Sequence, residues 1–189
     1  VACSNNSKRI KLGDVLVSER IKGFDVTKFN NEDKIVGRGE TRKVHPSLSA
    51  WFAKNSHRFH NKFACTKGAS PRYAQVHPGL ILSASFLIDN KEIKMKLVWP
   101  DGDEAKGGEM EGFALMNIVG NEVARKLGAI IIKGVCDYGD GEKKKNWQLT
   151  AALAAVKYTS KILEMTRETL LGKFCVICYG YIIVTLLWL

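Results

Sequence analysis

Cysteine is too sparse and too irregularly placed in this chain to build a disulfide framework or a zinc module. The five cysteines are Cys3, Cys65, Cys136, Cys175 and Cys178. Cys175 and Cys178 make one CxxC with no second pair, whereas a structural zinc site takes four ligands. They read as apolar residues of a reducing compartment, so a cytoplasmic setting is expected. His57 and His60 could share a helical face, but no further ligands lie close in sequence, so no metal is expected. Asp137–Glu142 contains acids without the spacing of a calcium loop. Ser83 and Ser85 have no evident His/Asp partner set, which leaves nucleophilic serine chemistry without support. Acidic residues are in deficit, 19 Asp+Glu against 29 Lys+Arg, for a net charge of +10. Such a balance favours anionic partners. Yet the basic residues fall in short scattered clusters (Lys8-Arg9-Lys11, Arg38-Arg42-Lys43, Lys143-Lys144-Lys145) framed by no nucleic-acid motif, so no nucleic-acid role is expected. Residues 1–12 are polar and basic, unlike a signal peptide. There is no internal repeat and no low-complexity linker.

Long apolar runs are scarce as well. The conspicuous one is Phe174–Leu189, which carries no charge. As a helix it would span about 24 Å, short of a hydrocarbon core of about 30 Å. Three readings stay open: a buried terminal element, a marginal membrane anchor, or a chain end unrelated to the domain. Membrane association is expected only if residues 174–189 insert. The organisation read from sequence is one domain over 1–172 and an apolar tail over 173–189.

What is present is an ordinary globular composition, 46% apolar and 25% charged over 189 residues, enough for a single domain with a real core. Val15-Leu16-Val17 reads as a strand entered from a tight turn at Leu12-Gly13-Asp14. Residues 19–45 look like strand ends and loops. Ser47 to about Phe63 fits a helix capped by Ser47. Gly79–Ile88 is a short apolar run between turn residues, as a buried strand would be. Met110–Leu127 reads as a helix, with Phe113, Met116, Val119, Val123 and Leu127 on one face. Gly128 suits its C-terminal cap. Ala129–Cys136 is a β-branched strand buried on both sides. Asn146–Leu171 is a long helix with Leu149, Leu153, Val156 and Leu163 inward, closed by Gly172. Helix, turn, buried strand, helix is the grammar of an α/β fold. In such sheets ligands bind beyond the carboxyl ends of strands.

Three acids fall at such places. Glu109 and Glu111, within Lys106-Gly-Gly-Glu-Met-Glu-Gly112, sit where a helix begins, and Asp137 sits where a strand runs out. That layout suits cleavage of an N-glycosidic bond. The sugar carbon gains positive charge as the base gains negative charge. An acid near the base can protonate it, a contribution of roughly 10²–10⁴-fold. An acid near the sugar can accept hydrogen bonds from both ribose hydroxyls and place negative charge beside the developing cation. The plainer reading is also open on spacing alone. Acids are ordinary in the first turn of a helix, and Asp is ordinary at a strand-to-loop junction.

The order of these motifs resembles the purine nucleoside phosphorylase / methylthioadenosine nucleosidase family over about residues 10–170. Gly108-Glu-Met-Glu-Gly112 is similar to its E-M-E signature, Leu12–Ser18 to its L-G-D strand and Gly79–Ile88 to its G-x-I-x-S-G-x strand. Cys136-Asp137 resembles the place of its base-side acid, and Trp147-Gln148 with the Ala-rich helix also fits. The likeness is nearest to family domains found in multidomain eukaryotic proteins. It implies a three-layer α/β/α fold with a central mixed, mostly buried sheet. It further implies catalytic residues Asp137 and Glu109, the latter as a supporting acid. Substrate contacts would come from Met110, Glu111, Ser85, Phe86, Leu87 and Ile88, with Glu111 as ribose ligand. Implied partners are a purine nucleoside, phosphate if the chain is a phosphorylase, and further copies of the chain in a homo-oligomer. No cofactor is implied.

The chain also departs from the family pattern. A Gly-rich first βα unit, expected before residue 1, is missing. Val1–Asn6 stands where a glycine-containing run is expected, and Ala84 replaces a Gly. The nucleophile side is therefore expected to be incomplete. The expectation is phosphorolysis or hydrolysis of a purine nucleoside, or a catalytically impaired nucleoside-binding or interaction module of the same fold.

Overall fold

The computed structural model describes residues 2–4, 9–55, 64–67, 70–86, 89–98, 105–120, 129–142, 145–169, 174–179 and 183–188. The strands are β1 (Ala2–Ser4), β2 (Val15–Gly23), β3 (Thr27–Phe29), β4 (Ile35–Gly37), β5 (Thr41–Lys43), β6 (Ala64–Lys67), β7 (Ser70–Tyr73), β8 (Val76–Ser83), β9 (Leu97–Val98), β10 (Gly107–Glu109), β11 (Ile131–Asp137), β12 (Phe174–Tyr179) and β13 (Ile183–Trp188). The helices are α1 (Pro46–Asn55), α2 (Lys91–Lys96), α3 (Gly112–Gly120) and α4 (Gln148–Thr169), the last preceded by a 3-10 turn at Lys145–Trp147.

Eight strands form one mixed sheet in the order β12-β13-β11-β1-β10-β8-β2-β5, and β2 also pairs with β11. The strands β11, β1, β10, β8 and β2 thus close on one another. β2, β8 and β10 run parallel, β11 runs antiparallel to β2, and β1 runs parallel to β11 but antiparallel to β10. Val15, Leu16, Val17 and Ile21 of β2, Ile81 of β8 and Ile131, Ile132 and Val135 of β11 are all buried. Near-continuous apolar strands are what a sheet covered on both faces requires. Each such side chain contributes about 1.5–3 kcal/mol.

Helices cover β11 from opposite sides. A Cβ at Gly112, where α3 starts, would lie 3.2 Å from Cγ1 of Ile131. A Cβ at Gly134 would collide with the backbone of Ala151 in α4. Residues 131 and 134 point to opposite faces of a strand. The architecture is the expected mixed sheet between helices.

Several element boundaries differ from the expected ones. The helix read from Met110 begins at Gly112, because Glu109 ends β10 and Met110-Glu111 make the turn. Val123, Leu127 and Gly128 lie outside the described residues. The strand read over 79–88 spans Val76–Ser83. It stops where the Ser83 carbonyl accepts from Phe24 and Ala84 donates to the Glu109 carbonyl. The polar 19–45 stretch carries the rest of β2 and the whole of β3, β4 and β5. The first helix starts at Pro46, since proline suits the first helical position. Ser47 therefore falls inside the helix, and residues 56–63, with His57 and His60, lie outside the described residues. In α4 two of the expected inward residues are exposed, Leu149 at 71% and Leu153 at 48%, while Val156 is half-buried and Leu163 packs against the core. Its buried face is Ala151, Ala154, Ala155, Tyr158 and Ile162. Alanines let the helix come close enough to touch Gly134, and that contact selects the face. Gly134→Ala should therefore destabilise the fold by about 1–3 kcal/mol, as overpacking does. Urea unfolding checks it, and an unchanged midpoint would refute the close contact.

The apolar tail forms β12 and β13. β13 pairs with β11 through Ile131↔Thr185 and Ile132↔Val184, and β12 pairs with β13. Among the described residues no helix is long and apolar enough to cross a membrane.

Candidate active site

The site grows from the ends of β8 and β10. These strands are parallel and in register, with Glu109 opposite Ser83, so both put side chains at the start of α3. A helix leaves its first N–H groups without intrahelical partners. Here side chains take them. Glu109 accepts from Glu111 N at 3.0 Å and from Gly112 N at 2.8 Å, and Ser83 Oγ accepts from Phe113 N at 2.9 Å. Glu109 is buried and acts as the cap of α3 as well as a charge.

Lys133 meets these acids from β11. Its ammonium lies 2.6 Å from Oε2 of Glu111 and 3.3 Å from Oε2 of Glu109. The Lys133 and Glu109 side chains are 3% and 0% exposed, and that of Glu111 is 48% exposed. A buried cation thus ties one hidden carboxylate to one that faces solvent. Burial pushes the Glu111 carboxyl up, but the Lys133 hydrogen bond and charge outweigh it and hold the carboxyl below the usual glutamate range. Removing one partner of a buried pair typically costs about 3–5 kcal/mol, so Lys133 and Glu109 stand or fall together.

Asp137 ends β11. Just before it the register with β1 slips, so that Ala2 faces Val135 and Cys3 faces Asp137. An irregularity of this kind re-aims a side chain. Asp137 is buried, and its Oδ1 accepts from Gly139 N at 2.6 Å. Gly139 has φ 62°, a conformation that favours glycine. The other face of Cys3 pairs with Gly108. Asp137 and the residue before Glu109 therefore stand on either side of β1, two strand spacings or about 10 Å apart.

The residues just beyond the segment expected to line a base pocket are tied to the same loop. Ser85 donates from N and Oγ to Oδ1 of Asp25, both at 2.6 Å, which holds the Asp25 carboxyl below its usual range. Phe86 is exposed, while Leu87 and Ile88 lie outside the described residues. Immediately beyond, Asp89 accepts from Gly141 N at 3.1 Å, and the Lys94 ammonium donates to the Tyr138 carbonyl. The chain on the far side of residues 85–88 is thus fastened to the loop that carries Asp137. Met110 is also exposed, beside Glu111.

The structure brings Glu109, Glu111 and Ser83 into one hydrogen-bonded cluster and sets Asp137 across β1 from it. Sequence reasoning missed Lys133 and Asp25. For Lys133 a signal existed, a lone cation inside Ala129-Ile-Ile-Ile-Lys-Gly-Val-Cys136. Asp25 gave none, because its partner Ser85 lies sixty residues away in sequence. Among the described residues no cluster suited to a metal ion is found.

No family model matches the chain. A death domain-containing ATP nucleosidase of Amphimedon queenslandica is 30% identical over 178 residues, covering 86% of this chain and 32% of that protein. The chain thus spans about a third of that relative's length. Solved structures share the architecture. The 5'-methylthioadenosine/S-adenosylhomocysteine nucleosidase of Neisseria meningitidis, in complex with methylthio-immucillin-A, superposes with TM-score 0.63 at 20% identity, over 87% of this chain and 66% of its own. Futalosine hydrolase of Helicobacter pylori gives 0.63 at 20% identity, over 90% and 66%. The chain therefore shares the nucleoside phosphorylase-like fold of these solved enzymes, and its sequence is similar to part of a nucleosidase.

Proposed function

We propose that the chain binds a purine nucleoside or nucleotide and cleaves its N-glycosidic bond. One observation carries this reading: a half-exposed carboxylate, Glu111, fixed by the buried Lys133, follows a strand that lies two strands from the one ending in a second acid, Asp137. As the bond breaks, its electron pair goes to the base. Asp137 donates a proton to the base nitrogen, and Glu111 accepts hydrogen bonds from the ribose diol and faces the developing cation. Glu109 supports from beneath, through α3 and Lys133. Met110, Ser85 and Phe86, with Leu87 and Ile88, would line the base and sugar. Water is the favoured nucleophile, because the relatives named above are nucleosidases and a hydrolase. Acid and water balance the reaction, so no cofactor is needed.

The Amphimedon relative is named for ATP, and a net charge of +10 suits a polyphosphate. Adenosine, methylthioadenosine and ATP are therefore the substrates to compare. Phe86 and Met110 are 44% and 41% exposed, which suits contact with bound ligand or with a second copy in a homo-oligomer. The setting proposed is cytoplasmic.

The test is release of adenine from each compound, with and without phosphate, by the purified chain. Release without phosphate is expected. Release only with phosphate would make the reaction phosphorolysis. Saturable binding without release would leave a nucleoside-binding module, and neither binding nor release would overturn the proposal.

A further inference from the structure

We infer that Lys133 is a positioning residue, which fixes the ribose-side carboxylate of Glu111 by bridging it to the buried cap of α3. The inference rests on the reading of Glu111 as the ribose ligand and deepens it. The side chain that would meet the sugar is itself 48% exposed and sits at a turn, where a free glutamate would sample several rotamers. What restrains it is the 2.6 Å bond from Lys133 Nζ to its Oε2. That cation is in turn held by Glu109 at 3.3 Å, and both Glu109 oxygens are spent on the amides of Glu111 and Gly112. The groups acting on the Glu111 carboxyl are Lys133 from β11, the Met110 backbone amide and the positive charge of the chain's N-terminal amine, with Glu109 from β10 on the far side of the Lys133 ammonium. With Lys133 fixing Oε2 from below, the exposed side of the carboxylate is held ready to receive hydroxyls. One ammonium between two carboxylates also leaves net negative charge on the exposed side, where a sugar cation would develop. A site held in advance by partners of this kind loses less freedom on binding than a mobile one.

The test compares a non-cleavable, carbon-linked adenosine analogue (formycin A) with free adenine, both by calorimetry. The native chain should bind the riboside more tightly than the base. No such preference would overturn the role of Glu111 itself, a failure distinct from that of Lys133. The double substitution Glu109→Gln with Lys133→Met removes the cation together with its buried counter-charge, so no hidden charge is orphaned. It should weaken the riboside by about 10–100-fold, the loss expected for one charged hydrogen bond, and leave adenine unchanged. Lys133→Arg should recover most of that loss. A folded double variant that keeps the full riboside preference overturns the inference. Should the double variant fail to fold, the native chain still decides. Carboxyl-carbon NMR, with Glu111 assigned by its disappearance in Glu111→Gln, should show it titrating below its ordinary 4.5. A midpoint at or above that value overturns the inference as well.

Discussion

Asp137→Asn should lower purine release by roughly 10²–10⁴-fold, the contribution of a general acid, while formycin A binding stays within about tenfold, the loss of about one hydrogen bond. The substitution is close to isosteric. In the native chain Oδ1 of Asp137 is already committed to Gly139 N at 2.6 Å. An asparagine oxygen can accept that same bond and preserve the loop, leaving its amide at the position of the other oxygen. An amide can still donate a hydrogen bond to the facing ring nitrogen of formycin A in the pyrazole tautomer that leaves that nitrogen without a proton, which keeps affinity. It cannot surrender a proton as the glycosidic bond breaks, which removes catalysis. The surrounding ties, Asp89 to Gly141 and Lys94 to Tyr138, do not involve the changed atom, so the fold should be spared. Unchanged turnover would remove Asp137 from the chemistry. Equal collapse of binding and turnover would instead mark it as a loop anchor.

How much of this was legible in the sequence depended on whether the signal was local. The buried β-branched run at 130–135 and the periodic face of Phe113 and Met116 announced β11 and α3, because each residue's neighbours in sequence share its fate. The α/β class followed from their order. Where the partner was distant, the reading slipped. Leu149 and Leu153 looked like the core face of α4, yet the alanine face is buried because Gly134, on another element, allows close approach. β2 continues through Glu19, at an irregularity in the pairing with β8, and Arg20, which pairs with both β8 and β5. In the site, Glu109, Glu111 and Asp137 were legible as acids at element ends. That Glu109 turns inward to cap α3 while Glu111 faces outward was not, since Ser83, which shares the capping of α3, lies twenty-six residues from Glu109 in the chain and comes opposite it only through the register of two strands. Lys133 was visible as a cation in an apolar strand, but the acids it serves lie on another strand and a turn.

Glu111→Ala should separate ribosides from free bases more sharply than any other single change. Its carboxylate would accept from two ribose hydroxyls. Hydrogen bonds to a charged group are worth about 1.5–3 kcal/mol each, and with every 1.4 kcal/mol a factor of ten, formycin A should bind about 10²–10⁴-fold more weakly. Adenine, which has no hydroxyls to offer, should change by less than about threefold, a shift below one hydrogen bond. Turnover should fall further than binding, because the lost charge faces a cation that exists only in the transition state. Stability should be little affected. The side chain is 48% exposed, and Lys133 retains Glu109 at 3.3 Å when Glu111 is gone. The deoxy analogue that lacks one of the two hydroxyls gives an internal control. It should lose affinity on the native chain and lose less than the full riboside on the variant, since one of its bonds was never made. A variant that weakens riboside and base equally would show Glu111 acting on the fold of the α3 turn and not on the sugar.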